Sequence, residues 1–358
     1  MSDTAEWGTQ LEAAVCEQCD WSYLLPPNSP PQRCPHCFTA TLTAVEEAYA
    51  QLPYNHPPEM VIKAQVSAEK VASQIAQFAK GIPFHSKDLT PASLNGRLRH
   101  AYLPLWLVDA NVQAAWQAEV GYDYQVVSHR EKYGGSSSGW QTEEVKETRI
   151  CWEPRVGRLN RIYHNHHAPA LEDEAEMQKR LGPYQLAAAE PYQPSLLSQT
   201  FIRLPNRPPT DAWPDVEPAF LQAGTAECQK AAAADHIRDY RWSAEFHDHN
   251  WTQLLRSFYA TYYLDDDGRP QPVYINGQTG HISGSRRASM KLARRWMLIM
   301  VAVAAVIFLI GGGTAAAGLY WEPALALGVV GILLSLLIAF LSLIPIFIAW
   351  NFNRTSAR

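Results

Sequence analysis

The sequence predicts an α+β protein: a small cysteine-stapled ribbon, a mixed soluble domain built on β-hairpins, and a C-terminal two-helix transmembrane hairpin. Three observations predict it. Four cysteines form two close pairs, two long apolar stretches without charge follow one another late in the chain, and aromatic strand-like runs alternate with polar helical ones in between.

The ribbon comes first. Cys16, Cys19, Cys34 and Cys37 read C-x2-C-x14-C-x2-C within residues 1–42. Two tight knuckles of two thiolates each supply the closed tetrahedral set that one structural zinc ion prefers. Two disulfides are the other use of four cysteines, and they require an oxidising compartment. All four positions of such a site are filled by protein, so the metal is expected to staple the fold and to do no catalysis. A segment of this size cannot build a sufficient apolar core alone. Trp21, Tyr23, Leu24 and Leu25 are expected to pack over it. His36 sits inside a knuckle, redundant as a ligand, and is expected to be exposed. Cys151 and Cys228 stand alone in the sequence and are assigned no chemistry.

Residues 43–60 read as a linker ending in Pro53, Pro57 and Pro58, and residues 61–285 as the soluble α+β domain. Ser67 is a good helix N-cap, Val71, Ile75 and Phe78 make an apolar stripe, and Gly81 ends the helix. Residues 100–109 (HAYLPLWLVD) then read as a largely buried strand. They align without a gap to 256–265 (RSFYATYYLD), pairing Tyr102 with Phe258, Trp106 with Tyr262, Asp109 with Asp265 and Gly121 with Gly277. Two related β-hairpin units are expected, at about 98–125 and 254–284. Asp265 to Gly268 reads as a turn, as do Asn276 and Gly277 with Gly280. Residues 133–139 (YGGSSSG) read as a flexible loop tip, 171–181 and 216–240 as helical, and Pro191 to Pro218 as an irregular connection.

Residues 296–319 and 324–350 contain no charge. At 1.5 Å per residue each is long enough to cross a hydrocarbon core of about 30 Å. Trp296, Tyr320, Trp321 and Trp350 sit where aromatic belts lie. Basic residues flank the pair, with Arg286, Arg287, Lys291, Arg294 and Arg295 in the juxtamembrane segment 286–295 and Arg354 and Arg358 in the tail 351–358, whereas the short loop has none. This asymmetry places a multi-pass protein in the cell membrane with both termini cytoplasmic. The basic segment is also suited to anionic headgroups. Gly311 to Gly313, Ala315 to Gly318, Gly328 and Gly331 give the helices small-residue faces for packing within the hairpin or between copies as a homo-oligomer. Neither span carries an ionisable residue, which argues against transport or proton relay.

From Arg286 onward lie seven of the 30 basic residues and one of the 35 acidic ones, leaving a net charge of −11 before that point. Such a surface repels a phosphate backbone, so nucleic acid is not an expected partner. The first residues are polar and acidic, with no signal-peptide pattern. No P-loop, zincin or dinucleotide-binding motif is present, and no catalytic or cofactor-binding residue is assigned. His164, His166, His167, His247 and His249 lie in polar sequence and are read as surface residues. Asp265, Asp266 and Asp267 lack the remainder of a calcium loop.

The four-cysteine ribbon, the helix at 67–80, the stretch Tyr102-Leu-Pro-Leu-Trp-Leu-Val-Asp109, the turn Tyr274-Ile-Asn-Gly-Gln-Thr-Gly280 with Gly284, and the terminal apolar helices together resemble a family of bacterial membrane proteins with a TFIIB-type zinc ribbon. The resemblance covers most of the chain. Members are often labelled primosomal or helicase-like, though this chain has no helicase motif. Some relatives look linked to flotillin-like (SPFH) and phage-shock-type membrane-stress proteins, which implies protein partners of that kind. The chain departs from the pattern at Ala260-Thr-Tyr262, where Pro-x-Trp is usual, and between His129 and His167. The expectation is a non-catalytic, membrane-anchored adaptor. The alternatives are a membrane-tethered nucleic-acid binder and an enzyme with a dispersed site.

Overall fold

The computed structural model describes residues 7–27, 32–44, 54–133, 140–196, 200–319 and 321–356. The chain is mixed α/β and divides into two compact units: one made of residues 1–104, 173–204 and 255–358, the other of 105–172 and 205–254. The glycine-serine tip at 134–139, residues 45–53 of the expected linker, and Tyr320 lie outside the described residues.

In the first unit, short strands β1 (Glu12–Val15), β2 (Ser22–Leu25) and β3 (Thr43–Ala44) carry the cysteine pairs. They are not set apart from the rest. β2 pairs antiparallel with β8 (Phe201–Arg203), which pairs parallel with the start of β5 (Arg99–Tyr133). The sheet continues through the end of β9 (His236–Leu264) to β10 (Pro270–Asn276) and β11 (Ile282–Gly284). β4 (Met60–Ile62) joins off this path, against β7 (Glu190–Pro191) and β9. Trp7, Leu11, Leu24, Val61, Tyr102, Ile202 and Leu255 form one core on this sheet.

Helix α1 (Ala68–Ala79) is as expected: Ser67 Oγ accepts the Lys70 N–H at 3.3 Å, Val71, Ile75 and Phe78 are buried, and Gly81 follows at φ 74°. With α2 (Pro91–Gly96), α1 covers a second core that includes Tyr263, Val273 and Ile275. α3 (Glu174–Leu181) follows in the 171–181 stretch. Behind it, the Arg256 guanidinium is buried and donates to Glu174 Oε2 at 2.8 Å and to the Pro104 carbonyl at 3.0 Å.

The two aligned stretches fold differently. After β9, Asp265 turns the chain: its Oδ1 accepts the N–H groups of Asp267 and Arg269, each at 2.9 Å, and Gly268 takes φ 76°. The second turn also forms, Asn276 N–H bonding the His281 carbonyl at 2.8 Å. A Cβ at Gly277 would come within 2.8 Å of the Ser257 carbonyl, so only glycine fits there. The expected hairpin at 98–125 is instead part of one unbroken strand, β5, whose antiparallel partner is β6 (Trp140–Ala168). Asp109 makes only a register irregularity between Val108 and Ala110, its carboxylate accepting the Asn165 N–H at 2.7 Å. The residues that follow explain the difference: Ala-Asn-Val after Asp109 holds an extended chain, and Asp-Asp-Gly after Asp265 reverses it.

In the second unit, β6 pairs with β5, and helix α4 (Pro209–Ala231) packs on the face that carries Leu159 and Tyr163. The structure corrects two expectations here. The proline-rich connection ends at Pro208, and the helix stops at Ala231, with β9 beginning at His236. Pro209 suits the first helical position. Pro214 and Pro218 lie inside the helix, which holds because Ala212, Val216, Phe220, Gly224 and Cys228, spaced four apart, bury one stripe.

The C-terminal helices α5 (Met290–Ala317), α6 (Glu322–Leu341) and α7 (Ile344–Ser356) include two candidate membrane spans, Met290–Ala317 and Pro323–Thr355, of hydropathy 2.4 and 2.8. Their apolar side chains point outward: Leu309 is 72% exposed and Phe340 73%. A water-soluble surface does not carry such a patch, so these helices are built to associate with a membrane. The small residues of α5 and α6 face each other. A Cβ on Gly311 would lie 2.9 Å from the Ile332 nitrogen, and one on Gly328 would collide with Ala315, whereas Gly312 and Gly313 have nothing within 4 Å. The basic segment is not all extended: Lys291, Arg294 and Arg295 belong to α5, whose N-terminus is capped by Ser289 Oγ at 2.9 Å from the Leu292 nitrogen.

Candidate metal centre

The four cysteine sulfurs lie within 4.8 Å of one another, without a disulfide. Cys16 Sγ is 3.6 Å from Cys37 Sγ, and Cys19 Sγ 3.7 Å from Cys34 Sγ. Four thiolates around one ion at a bond length of about 2.3 Å would stand about 3.8 Å apart, so the set fits a single tetrahedral metal. Among the described residues this is the one such cluster of His, Cys, Asp or Glu.

Two knuckles of the same geometry hold it. Asp20 N–H bonds the Cys16 carbonyl at 2.8 Å, and Phe38 N–H bonds the Cys34 carbonyl at 3.0 Å. Each closing residue is left-handed, Asp20 at φ 56° and Phe38 at φ 55°. Such a φ is uncommon for a non-glycine residue and strained for a bulky aromatic. Burial offsets it at Phe38, whose ring packs 5.1 Å from that of Tyr262 and 6.1 Å from that of Tyr274. The Tyr274 hydroxyl donates to the His36 carbonyl at 3.1 Å. The second knuckle is thereby keyed onto β10 and the end of β9.

Cys34 is shifted toward the thiolate, and Cys19 and Cys16 the other way. Cys34 is pulled down to about 5, chiefly by the Cys19 thiol and then by the N–H groups of Cys37 and His36, against its burial. Cys19 rises because it keeps the proton the pair shares, and burial adds to this. Cys16 is raised by burial, with the Gln18 N–H acting the other way. The Tyr23 hydroxyl, 3.7 Å from Cys34 Sγ, is held protonated by its burial. Trp21, Tyr23, Leu24 and Leu25 are buried as expected.

His36 is not exposed. Its ring stacks on Trp21 at 3.5 Å with an interplanar angle of 10°. The Arg203 guanidinium covers the indole as well, buried, and donates to Asp173 Oδ1 at 2.9 Å and Oδ2 at 3.2 Å. Sequence reading missed this stack. Arg203 and Asp173 are far from the cysteines in the chain, and only the pairing of Tyr23 with Arg203 brings them there.

The remaining candidates separate. His164 Nδ1 pairs with Asp109 Oδ2 at 3.2 Å. His166, which is half-buried, lies 4.3 Å from the Phe220 ring, and His249 stacks on Trp213 at 4.4 Å. They join an aromatic cluster on α4 and are not arranged as metal ligands. Asp265 to Asp267 form a turn that receives α5: Asp266 Oδ2 accepts the Lys291 N–H at 2.9 Å, and Asp267 pairs with the Lys291 ammonium at 3.1 Å. Cys228 is buried with its sulfur 3.6 Å from the Tyr240 hydroxyl, and Cys151 is exposed. No protein-family model, curated protein or solved structure matches the chain.

Proposed function

We propose that this chain is a non-catalytic membrane adaptor: a zinc ribbon and its supporting sheet form a docking platform, and the apolar hairpin holds that platform at the cytoplasmic face of the cell membrane. Both termini lie in the cytoplasm in this reading. One zinc ion, held by Cys16, Cys19, Cys34 and Cys37, staples the platform. The partner class is the one the family resemblance implies, a flotillin-like or phage-shock-type membrane-stress protein.

One observation carries the reading. Tyr274 on β10 bonds the His36 carbonyl of the second knuckle, and its neighbours Val273 and Ile275 lie in the same core as Ala293 of α5 and Ala349 of α7. A short β-strand therefore links the cysteine centre to both ends of the hairpin. That geometry suits a surface presented at a fixed distance from a bilayer. What the first knuckle leaves outside is Glu17, Gln18 and Asp20. This acidic tip disfavours phosphate and suits a protein partner with basic or polar contacts.

The test is mild crosslinking of the intact chain in its native membrane, detergent extraction, metal analysis and identification of what co-purifies. The reading expects one zinc per chain and a membrane-associated protein whose recovery falls at least tenfold for Glu17→Lys/Gln18→Lys, a variant that keeps its zinc. Recovery of the chain alone, or with nucleic acid that salt removes, would overturn it.

A further inference from the structure

The exposed edge of β6 carries a charge pattern that complements itself. Among the described residues, β6 has β5 as its only strand neighbour, so its other edge has no strand partner. Along one face of the strand, alternate residues read Glu147, Arg149, Cys151, Glu153, Arg155. Their β5 partners in register are Val126, Tyr124, Tyr122, Val120 and Ala118. Within one chain the charges pair along the strand, Arg149 with Glu147 at 3.4 Å and Arg155 with Glu153 at 2.9 Å, all four side chains being about half exposed. Cys151 at the centre is exposed.

Run antiparallel against a second copy of itself about Cys151, the pattern places Glu147 opposite Arg155, Arg149 opposite Glu153, and Cys151 opposite Cys151. On the other face Glu144 then stands opposite Arg158, and Ile150 opposite Trp152. A slip of two residues either way sets Glu147 against Glu153 or Arg149 against Arg155. Parallel pairing in register sets every charge against its like. Among these registers only the first is favourable, and it has the two-fold symmetry an isologous dimer requires. Pro154 lacks an N–H and removes one donor per copy from the new ladder, which weakens the pairing without changing its register.

We propose that two copies of this chain associate through antiparallel pairing of their β6 edges, centred on Cys151. The proposal is independent of the adaptor reading and of the metal. It names a different surface from the small-residue faces of the membrane helices.

Directly opposed residues in an antiparallel ladder have Cα atoms about 4.5–5.5 Å apart, within reach of a short bismaleimide. The experiment treats the full chain, in its membrane and in detergent, with that reagent. A covalent dimer is expected, absent for Cys151→Ser. Glu147→Arg sets the introduced guanidinium against Arg155 at both ends of the interface and should lower the yield at least fivefold. Glu147→Arg combined with Arg155→Glu restores opposite charges and should restore the dimer. These positions are exposed, so the melting temperature should stay within a few degrees, and a mono-maleimide dye should label Cys151 equally in both charge variants. Loss of rescue in the double variant, a dimer indifferent to Glu147→Arg, or a dye-reactive Cys151 that gives no dimer would overturn the proposal.

Discussion

Asn353 clamps the backbone of Ala288. Its Oδ1 accepts the Ala288 N–H at 2.7 Å and its Nδ2 donates to the Ala288 carbonyl at 3.1 Å. The residue that leaves the second apolar span is thereby tied to the residue that enters the first. Ala288 is buried, so its backbone groups have no water to fall back on. Asn353→Ala would leave both without a partner, a loss of about 1–3 kcal/mol. The expected result is a lower melting temperature in detergent and faster proteolysis between Arg286 and Lys291. Asn353→Asp, which keeps only the acceptor, should fall between the two. An unchanged cleavage rate in Asn353→Ala would show that the clamp does not hold the hairpin.

His100 gives a pH dependence with a defined sign. Its imidazole lies against Tyr259 at 4.7 Å and hydrogen-bonds Ser257 Oγ at 2.8 Å, and burial pushes its pKa down to about 4. An unfolded histidine titrates near 6.5. Between those values the unfolded chain takes the proton and the folded chain does not. The stability is complete above about pH 6.5 and is lost as pH falls toward 4, by about 2–3 kcal/mol over that window. Denaturant melts of the full chain at several pH values should show this slope, and His100→Asn should reduce it. A slope unchanged in the variant would place the titration elsewhere.

The hairpin faces can be separated by two valines. Gly311→Val drives a side chain into the backbone of α6 at Gly331 and Ile332, whereas Gly312→Val meets nothing within 4 Å. Helices in lipid gain no hydrophobic drive from each other, so close backbone contact is much of what joins them. Gly311→Val should lower thermal stability in detergent clearly, and Gly312→Val should leave it within error. If Gly312→Val instead dissociates an oligomer on a sizing column, the open face at Gly312 and Gly313 is an interface between copies.

Local signals were the legible ones. Two residues between paired cysteines is a knuckle wherever it occurs, Ser67 caps α1 with its own side chain, and Asp-Asp-Gly reverses a chain without help from the rest of the fold. The two uncharged spans are legible because no water-soluble core accepts them. Signals that depended on distant residues were missed. The prolines of α4 hid a buried stripe at 212, 216, 220, 224 and 228. The β5 run through Asp109 reads as a hairpin because its letters align with a segment that has one. His36 reads as exposed because nothing nearby in sequence announces that Trp21 and Arg203 form a stack beside it. Phe38 tolerates φ 55° only because Tyr262 and Tyr274 wait more than 220 residues away.

The ion pair between Arg256 and Glu174 sets the sharpest stability test. Both side chains are nearly inaccessible, at 5% and 10% exposure, and the guanidinium also donates to the Pro104 carbonyl and lies 5.5 Å from the Tyr184 ring. Removing both charges from water is expensive, and the attraction returns that cost only while the pair is intact. Glu174→Ala leaves a buried cation with one neutral acceptor and should destabilise the fold by about 3–5 kcal/mol. Glu174→Gln keeps a carbonyl acceptor and should cost less. Arg256→Met with Glu174→Leu removes both charges and keeps the volume, so it should recover most of the loss. Urea melts of the four proteins give the comparison directly. If Glu174→Ala costs no more than an exposed pair, under about 1 kcal/mol, then water reaches Arg256 and the site is not a sealed support beneath α3.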